Sequence, residues 1–154
     1  MISRTLVIIG AIILLTLSGV TAALATTAEG NQNPDLLVSV SLASRGTLNP
    51  DQATVGDTVE VVLSVENTKP WTFQFRMEEV RLNITVQFPL MPPLAVSGTV
   101  FLSPEQTLRV PLDFLVTEFH PKGTYSLTLE AIEVGDPAIP PPPPSSATAT
   151  LTIP

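Results

Sequence analysis

Apolar and polar residues alternate along most of the chain after Asp35, and this two-residue period predicts β-strands. In the run 58–66, valine and leucine at the odd positions alternate with mostly polar residues at the even ones. Similar alternation covers the runs 36–42, 71–76, 80–88, 96–102, 108–114, 125–131 and 147–153. One side of each strand is therefore expected to face a buried core.

Turn-forming residues separate these runs, among them Asn49-Pro50-Asp51, Val55-Gly56-Asp57 and Pro89–Pro93. Strands at this spacing, with no helical pattern between them, are typical of antiparallel sandwiches. The sequence predicts an all-β fold: a single immunoglobulin-like β-sandwich of seven to eight strands over residues 35–154, with a proline-rich loop at 137–144. Pro111 predicts an edge position or a bulge for its strand, and Gly98 suggests a bulge.

The first residues have the pattern of an export signal. Arg4 precedes the uncharged stretch Thr5–Ala28, and Ala23-Leu24-Ala25 matches the small-x-small cleavage pattern. We predict a signal peptide over 1–25 and a polar linker over 26–34. The alternative is an uncleaved membrane anchor reaching about residue 28, because the stretch is long enough to span a bilayer. Either way the predicted location is extracellular or at the cell surface, membrane-anchored if the segment is retained as a helix.

Composition restricts the chemistry that the chain can perform. The formal net charge is −7, which disfavours nucleic acid and anionic membrane surfaces as partners, so any membrane contact is expected through the N-terminal segment alone. The chain has no cysteine and one histidine, which removes disulfides and thiolate chemistry. The consecutive prolines Pro140–Pro144 predict a stiff polyproline II segment.

Five motifs in order along the chain resemble CARDB-type and related prokaryotic extracellular immunoglobulin-like modules. They are Asn33–Val38, Val55–Val61, Ser64–Thr68, Leu102–Leu108 and Lys122–Leu127, which include a GDTV strand opening and a G-x-Y strand opening. The resemblance covers about 34–154. It implies a cell-surface or cell-adhesion context and no set of catalytic residues. The proline-rich stretches 89–93 and 140–144 depart from the pattern.

Candidate catalytic groups are sparse. His120 lies in a turn-like context without a nucleophile-elbow motif, and the adjacent Glu78 and Glu79 form the only paired carboxylates. Calcium is the metal that the acidic loops would suit best, although no EF-hand spacing is present, and no cofactor is predicted. We therefore predict a non-enzymatic protein, with a small extracellular hydrolase as a further alternative.

Two single residues carry functional hypotheses. Asn83 heads an Asn-Ile-Thr sequon on the outward face of its strand and is a possible glycosylation site. Trp71 shares a strand face with Phe73 and Phe75; core packing is the preferred interpretation of this face, and a ligand-facing role is the alternative for Trp71.

The leading functional hypothesis is a secreted or cell-surface accessory module that engages protein or carbohydrate. The alternative is a subunit of an extracellular filament, a homopolymer joined by β-strand exchange, because two terminal segments alternate cleanly and carry almost no charge. Their apolar residues are Leu36, Val38, Val40, Leu42, Ala147, Ala149, Leu151 and Ile153.

Overall fold

A computed structural model describes residues 28–30, 33–45, 49, 51–71, 77–135 and 139–154. This part of the chain contains eight strands and no helix. The strands are β1 (Ala28–Gly30), β2 (Leu36–Arg45), β3 (Thr58–Asn67), β4 (Glu78–Gln87), β5 (Leu94–Leu102), β6 (Thr107–Leu115), β7 (Gly123–Glu133) and β8 (Ser145–Ile153). The predicted leader, 1–25, and the predicted strand residues 72–76 lie outside the described residues.

The strands form two antiparallel sheets. Sheet A has the order β1-β8-β7-β4-β5, and sheet B has the order β2-β3-β6. Seven long strands match the predicted alternating runs, so the all-β, antiparallel prediction is confirmed. Alternation was a reliable signal here because each sheet has one face against the core and one against water.

The three-residue strand β1 lies within the predicted linker, 26–34. It pairs with β8 through Ala28 opposite Thr148 and Gly30 opposite Ser146. Strand pattern did not indicate it, because Ala-Glu-Gly is too short to alternate. Beyond it, Asn33 is almost fully buried, and its backbone N–H donates to the Ser145 hydroxyl at 3.1 Å. Part of the predicted linker is thus joined to sheet A.

The core lies between the sheets where β2 and β3 face β7 and β8. Inward-facing side chains on these four strands are almost completely buried, including Val40, Val59 and Ala131 at 0% exposure. We call this region the closed side. Its other members are Leu36, Val38, Leu42, Val61, Leu63, Val65, Tyr125, Leu127, Leu129, Ala147, Ala149, Leu151 and Ile153.

Two local predictions about strands have different outcomes. Pro111 lies on β6, the edge of sheet B, opposite Val62, so its predicted edge position is confirmed. Gly98 pairs with Leu82 in an uninterrupted register, so the suggested bulge is wrong. No helix among the described residues is long and apolar enough to cross a membrane.

Candidate binding surface

His120 has a structural environment. Its Nδ1 accepts a hydrogen bond from the Thr117 backbone N–H at 3.0 Å, and its ring stacks on Phe114 with centroids 6.0 Å apart. Because Nδ1 of His120 is bonded to the backbone of its own turn, the turn fixes the position of the imidazole ring. The predicted role as a turn histidine fits this geometry.

The adjacent glutamates point to opposite faces of β4. Glu78 lies 3.2 Å from the Lys69 ammonium, whereas Glu79 is opposite Phe101 of β5. A glycosidase needs both carboxyl groups on one cleft, and alternation separates these two. In the described ranges, no group of three or more His, Cys, Asp or Glu side chains could hold a metal ion.

A cluster of charges joins strand ends at one end of the sandwich. The Lys69 ammonium lies 2.7 Å from Glu133, 3.2 Å from Glu78 and 3.9 Å from Asp35. Partial burial acts to lower the pKa of Lys69, but the ion pairs with Glu133 and Glu78 outweigh it, so the pKa is raised. All three carboxylates pair with the same cation, so the cluster links the strand ends to one another and has a structural role.

Asn67, at the end of β3, closes the sandwich at this same end. Its side chain is fully buried, and Nδ2 donates to the carbonyl oxygens of Leu102 and Ser103 at 3.3 and 3.2 Å. The Asn67 backbone N–H also donates to the Gln106 carbonyl at 2.9 Å. The β5–β6 turn, which crosses from sheet A to sheet B, is therefore fixed to β3. We call this the clasped end.

Away from the clasped end, the inward faces of β4, β5 and β6 are not fully covered. On β6 the inward residues are only half-buried, and on β5 Leu94 and Val96 are 55% and 39% exposed. We call this region the open side. Its members are Leu82, Ile84, Val86, Leu94, Val96, Val100, Leu108, Val110, Leu112 and Phe114.

The open side leads to a loop end with unusually exposed apolar side chains. Leu90, in the β4–β5 loop, is 100% exposed and adopts a φ of 59°, a conformation that residues with a Cβ rarely occupy. Phe119, in the β6–β7 loop, is 85% exposed. The two loops meet where Pro89 lies against Gly123.

A third loop is attached to the same end. The Gly56 backbone N–H donates to the Val116 carbonyl at 2.9 Å, and the Val116 N–H donates to the Asp57 carbonyl at 2.8 Å. This loop carries Val55, which is 64% exposed, and the β4–β5 loop adds Met91 at 53%. We define the loop end as residues 54–57, 88–93 and 116–122. These exposed apolar side chains on three connected loops make the loop end the candidate binding surface.

The two single-residue hypotheses concern sites outside this surface. Asn83 faces outward, as predicted, but its Nδ2 donates to Glu130 at 2.8 Å and its Oδ1 accepts from Ser97 at 2.8 Å. A glycan on Asn83 would have to replace the bond to Glu130. Trp71 is 56% exposed, just beyond the clasped end, while Phe73 and Phe75 lie outside the described residues.

The two proposed strand-exchange segments belong to the chain's own closed side. The Leu36–Leu42 segment pairs with β3, and the Ala147–Ile153 segment pairs with β7. Their inward residues, from Leu36 at 1% exposure to Ile153 at 4%, are in the core. Exchange between copies would have to replace this pairing, strand for strand.

Comparisons with known proteins give no family for the chain. No family model matches it, and no curated protein matches it. Among solved structures, it is similar to a β-glucosidase from Listeria innocua, with 10% identity and a TM-score of 0.40, covering 75% of this chain and 16% of that one. It is also similar to the sporulation control protein Spo0M from Bacillus subtilis, with 14% identity and a TM-score of 0.35, covering 74% of this chain and 48% of that one.

These likenesses have TM-scores below 0.5 and carry no argument about fold or function. The chain spans less than half the length of either neighbour. The resemblance to CARDB-type modules stays a prediction.

Sequence reasoning missed the residues that define this surface. Leu90 was assigned only to a proline-rich turn, and Phe119 was passed over as a neighbour of His120. The available signal was an apolar residue inside each predicted turn, where polar residues are usual. The role of Asn67 has no local signal either, because burial of its amide depends on a contact with Leu102, far along the chain.

Proposed function

We propose that the protein is an exported, non-enzymatic immunoglobulin-like module that binds a protein partner at the cell surface through its loop end. The observation that carries this proposal is the pair of nearly fully exposed apolar side chains, Leu90 and Phe119, on loops that contact each other. Aliphatic and aromatic groups at loop tips gain most from burial against another apolar surface. A carbohydrate partner fits less well, because the two most exposed side chains, Leu90 and Phe119, neither donate nor accept hydrogen bonds.

The immunoglobulin-like assignment is part of the proposal and has two supports. Of the seven long strands, sheet B contains β2, β3 and β6, and sheet A contains β4, β5, β7 and β8. Tyr125, near the start of β7, donates its hydroxyl hydrogen to the Pro121 carbonyl at 2.7 Å. A tyrosine at this corner, bonded to backbone a few residues upstream, is a recurring feature of immunoglobulin-like domains.

The non-enzymatic part rests on the dispersed titratable groups. The carboxylates of the described residues are placed in ion pairs, as at Lys69, on solvent-facing sides of strands or in turns, and His120 is held within its own turn. Panels of glycosidase, esterase and peptidase substrates should therefore give no turnover. Turnover that Glu78→Ala or Glu79→Ala abolishes would establish the hydrolase alternative instead.

Binding is tested with the full chain produced with its own leader and labelled after purification. The labelled protein is titrated onto intact cells of the producing species and, separately, onto a glycan array. We expect saturable binding to cells that trypsin treatment of the cells removes. Binding to cells that survives trypsin treatment, together with binding to the glycan array, would assign a carbohydrate partner.

A matched pair of variants locates the site. Leu90→Ser with Phe119→Ser should weaken binding to cells at least about tenfold, since each removes an exposed apolar anchor. Ile139→Ser is the control, because Ile139 is 65% exposed but lies in the β7–β8 connection at the clasped end. Equal binding by all three proteins would refute the loop end as the binding site.

A further inference from the structure

We infer that the turn formed by residues 88–91, which we call the Leu90 turn, is fixed before binding by the amide of Gln87, and that its Leu90 side chain inserts into an apolar pocket of the partner protein. The inference rests on the proposed function, because it concerns the same loop end. It adds a positioning residue, Gln87, and the shape of the surface that the partner must offer.

Leu90 occupies a backbone conformation that disfavours leucine. It is the third residue of the turn and has a φ of 59°, and glycine or asparagine is usual at a third position with positive φ. Its side chain is 100% exposed, so no packing within the chain offsets the backbone strain. The stability of the isolated chain therefore does not account for a leucine at this position.

Two contacts hold the Leu90 turn in this conformation. The Gln87 Nε2 donates to the carbonyl oxygens of Phe88 and Met91, each at 2.9 Å, so one amide bridges the two ends of the turn. Pro89 lies so close to Gly123 that a Cβ on Gly123 would lie 2.9 Å from the Pro89 Cβ. Neighbouring groups therefore impose the conformation without any partner.

A turn that is fixed in advance binds more strongly than a mobile one, because less free energy is lost in ordering it. Without the bonds from Gln87, the turn would populate other conformations, and the apparent affinity would fall with the fraction of competent molecules. Gln87 is itself exposed and does not belong to the core. Its bonds thus act on the Leu90 turn and not on the packing of the sandwich.

The exposure of Leu90 defines the surface that can cover it. A side chain that is free of contacts on all sides is covered completely only by a concave surface. The leucine side chain has no polar atom, so this surface must be apolar to gain from the contact. Apolar anchors that fill pockets at the centre of an interface supply most of its binding energy. The partner is therefore a folded protein with an apolar pocket of the size of an isobutyl group.

A lipid bilayer is the other apolar environment that could cover Leu90, and two observations favour a protein. Fluid hydrocarbon accepts an isobutyl group in any backbone conformation, so a turn fixed by Gln87 brings no advantage there. The exposed Glu118 also lies next to Phe119 at the loop end, and insertion of Phe119 would carry this carboxylate towards the hydrocarbon.

The test measures binding of the labelled full chain to intact cells of the producing species, with and without trypsin treatment of the cells. Leu90→Asn introduces a residue that tolerates positive φ and removes the apolar group. It should weaken the trypsin-sensitive binding at least about tenfold without lowering the melting temperature. Glu105→Asn is the matched control, because Glu105 is an exposed residue with a φ of 60° in the β5–β6 turn at the clasped end. This control should bind like the wild-type chain.

A second variant tests the positioning role. Gln87→Met removes both donors, keeps the length of the side chain, and should weaken binding about threefold to tenfold with little change in melting temperature. Combined with Leu90→Asn, it should weaken binding no further, because Gln87 acts through Leu90. A Gln87→Met protein that binds like the wild-type chain, or an additive effect in the double variant, would overturn the positioning role.

Leu90→Trp distinguishes a pocket from an open apolar surface. The larger side chain should weaken binding to a pocket of isobutyl size, whereas a flat apolar surface or a bilayer would bind it more tightly. Tighter binding by Leu90→Trp, or Leu90-dependent binding of the wild-type chain to phosphatidylcholine vesicles, would overturn the inference while the loop end stays the binding surface. Unchanged binding by Leu90→Asn would also overturn it, and the proposed function would fail as well only if Leu90→Ser with Phe119→Ser were equally without effect.

Discussion

The closed and open sides of this protein are built from the same sequence pattern, but inward side chains are almost fully buried on the closed side and only partly buried on the open side. Leu129 on β7 and Leu112 on β6 both occupy inward positions of alternating strands, yet the first is 1% exposed and the second only half-buried. The difference arises because β2 of sheet B lies directly across from β7 and β8, whereas the inward residues of β4, β5 and β6 are only partly covered. Alternation therefore specifies which way a side chain points and leaves open whether anything covers it.

The largest expected effect tests this comparison directly. Leu129→Ala removes a fully buried side chain on the closed side and should lower the free energy of unfolding by about 2–5 kcal/mol. Leu112→Ala makes the same chemical change on the open side, where water already reaches the site, and should cost about 1 kcal/mol or less. Urea denaturation measures both. Equal losses would mean that the open side is covered in solution.

The next effect concerns the clasped end, which holds the two sides together. Lys69→Met leaves Glu133, Glu78 and Asp35 without their common cation and should destabilise the protein by roughly 1–3 kcal/mol. Lys122→Met, at an exposed position, is the control and should have little effect.

The pH dependence of this effect has a definite sign. Because folding raises the pKa of Lys69, its contribution is fully present below the ordinary lysine pKa of about 10.4 and is lost as pH rises through the folded value. As the pH is raised from neutral, the difference between wild type and Lys69→Met should therefore persist until about pH 10. Loss of the difference at neutral pH would contradict the ion-pair explanation.

A smaller effect is expected where the closed side meets the loop end. Tyr125→Phe deletes the hydroxyl that donates to the Pro121 carbonyl and should cost about 1 kcal/mol, since one partly buried hydrogen bond is lost. Thr124→Val, at the preceding residue, removes an exposed hydroxyl that forms only a long, 3.3 Å contact with the Thr152 hydroxyl, and should be nearly neutral. Thermal unfolding of both variants is the measurement. A neutral Tyr125→Phe would remove the tyrosine-corner support for an immunoglobulin-like fold.

The smallest expected effect is in the turn that leads into β3. The Asp57 carboxylate accepts from the Thr54 backbone N–H at 2.7 Å and from the Thr54 hydroxyl at 2.9 Å, and these bonds lower its pKa. A lowered pKa adds stability at neutral pH that is lost as pH falls through the folded value. Asp57→Asn should thus lower the melting temperature slightly at pH 7, and this effect should shrink as the pH falls below the ordinary aspartate pKa of about 3.9. The same shift in the exposed variant Glu118→Gln would show that net charge alone is responsible.

Local sequence features account for much of the fold. Period-two alternation located the seven long strands, and Pro111 located an edge, because both depend only on strand geometry and on the missing proline N–H. The short strand β1 and the buried Asn67 were not foreseen, since each owes its place to residues more than thirty positions away.

The candidate binding surface was less accessible to sequence reasoning. Leu90 and Phe119 are ordinary apolar residues in predicted turns, and their exposure depends on how three loops meet around Gly123 and Val116. The strand β5 matches the predicted run 96–102, but its place at an end of sheet A follows from strand order, which alternation does not encode.

By itself, the sequence determined that this chain forms antiparallel strands with one apolar face each, that its chemistry contains no thiol, and that its surface is acidic. These are properties of neighbouring residues and of composition. Only the tertiary structure decided which apolar faces are closed and which stay open, because burial depends on what lies across the sandwich. The contacts of Asn67 and Lys69 fix the sheets at the clasped end, and they join residues that are far apart in the sequence.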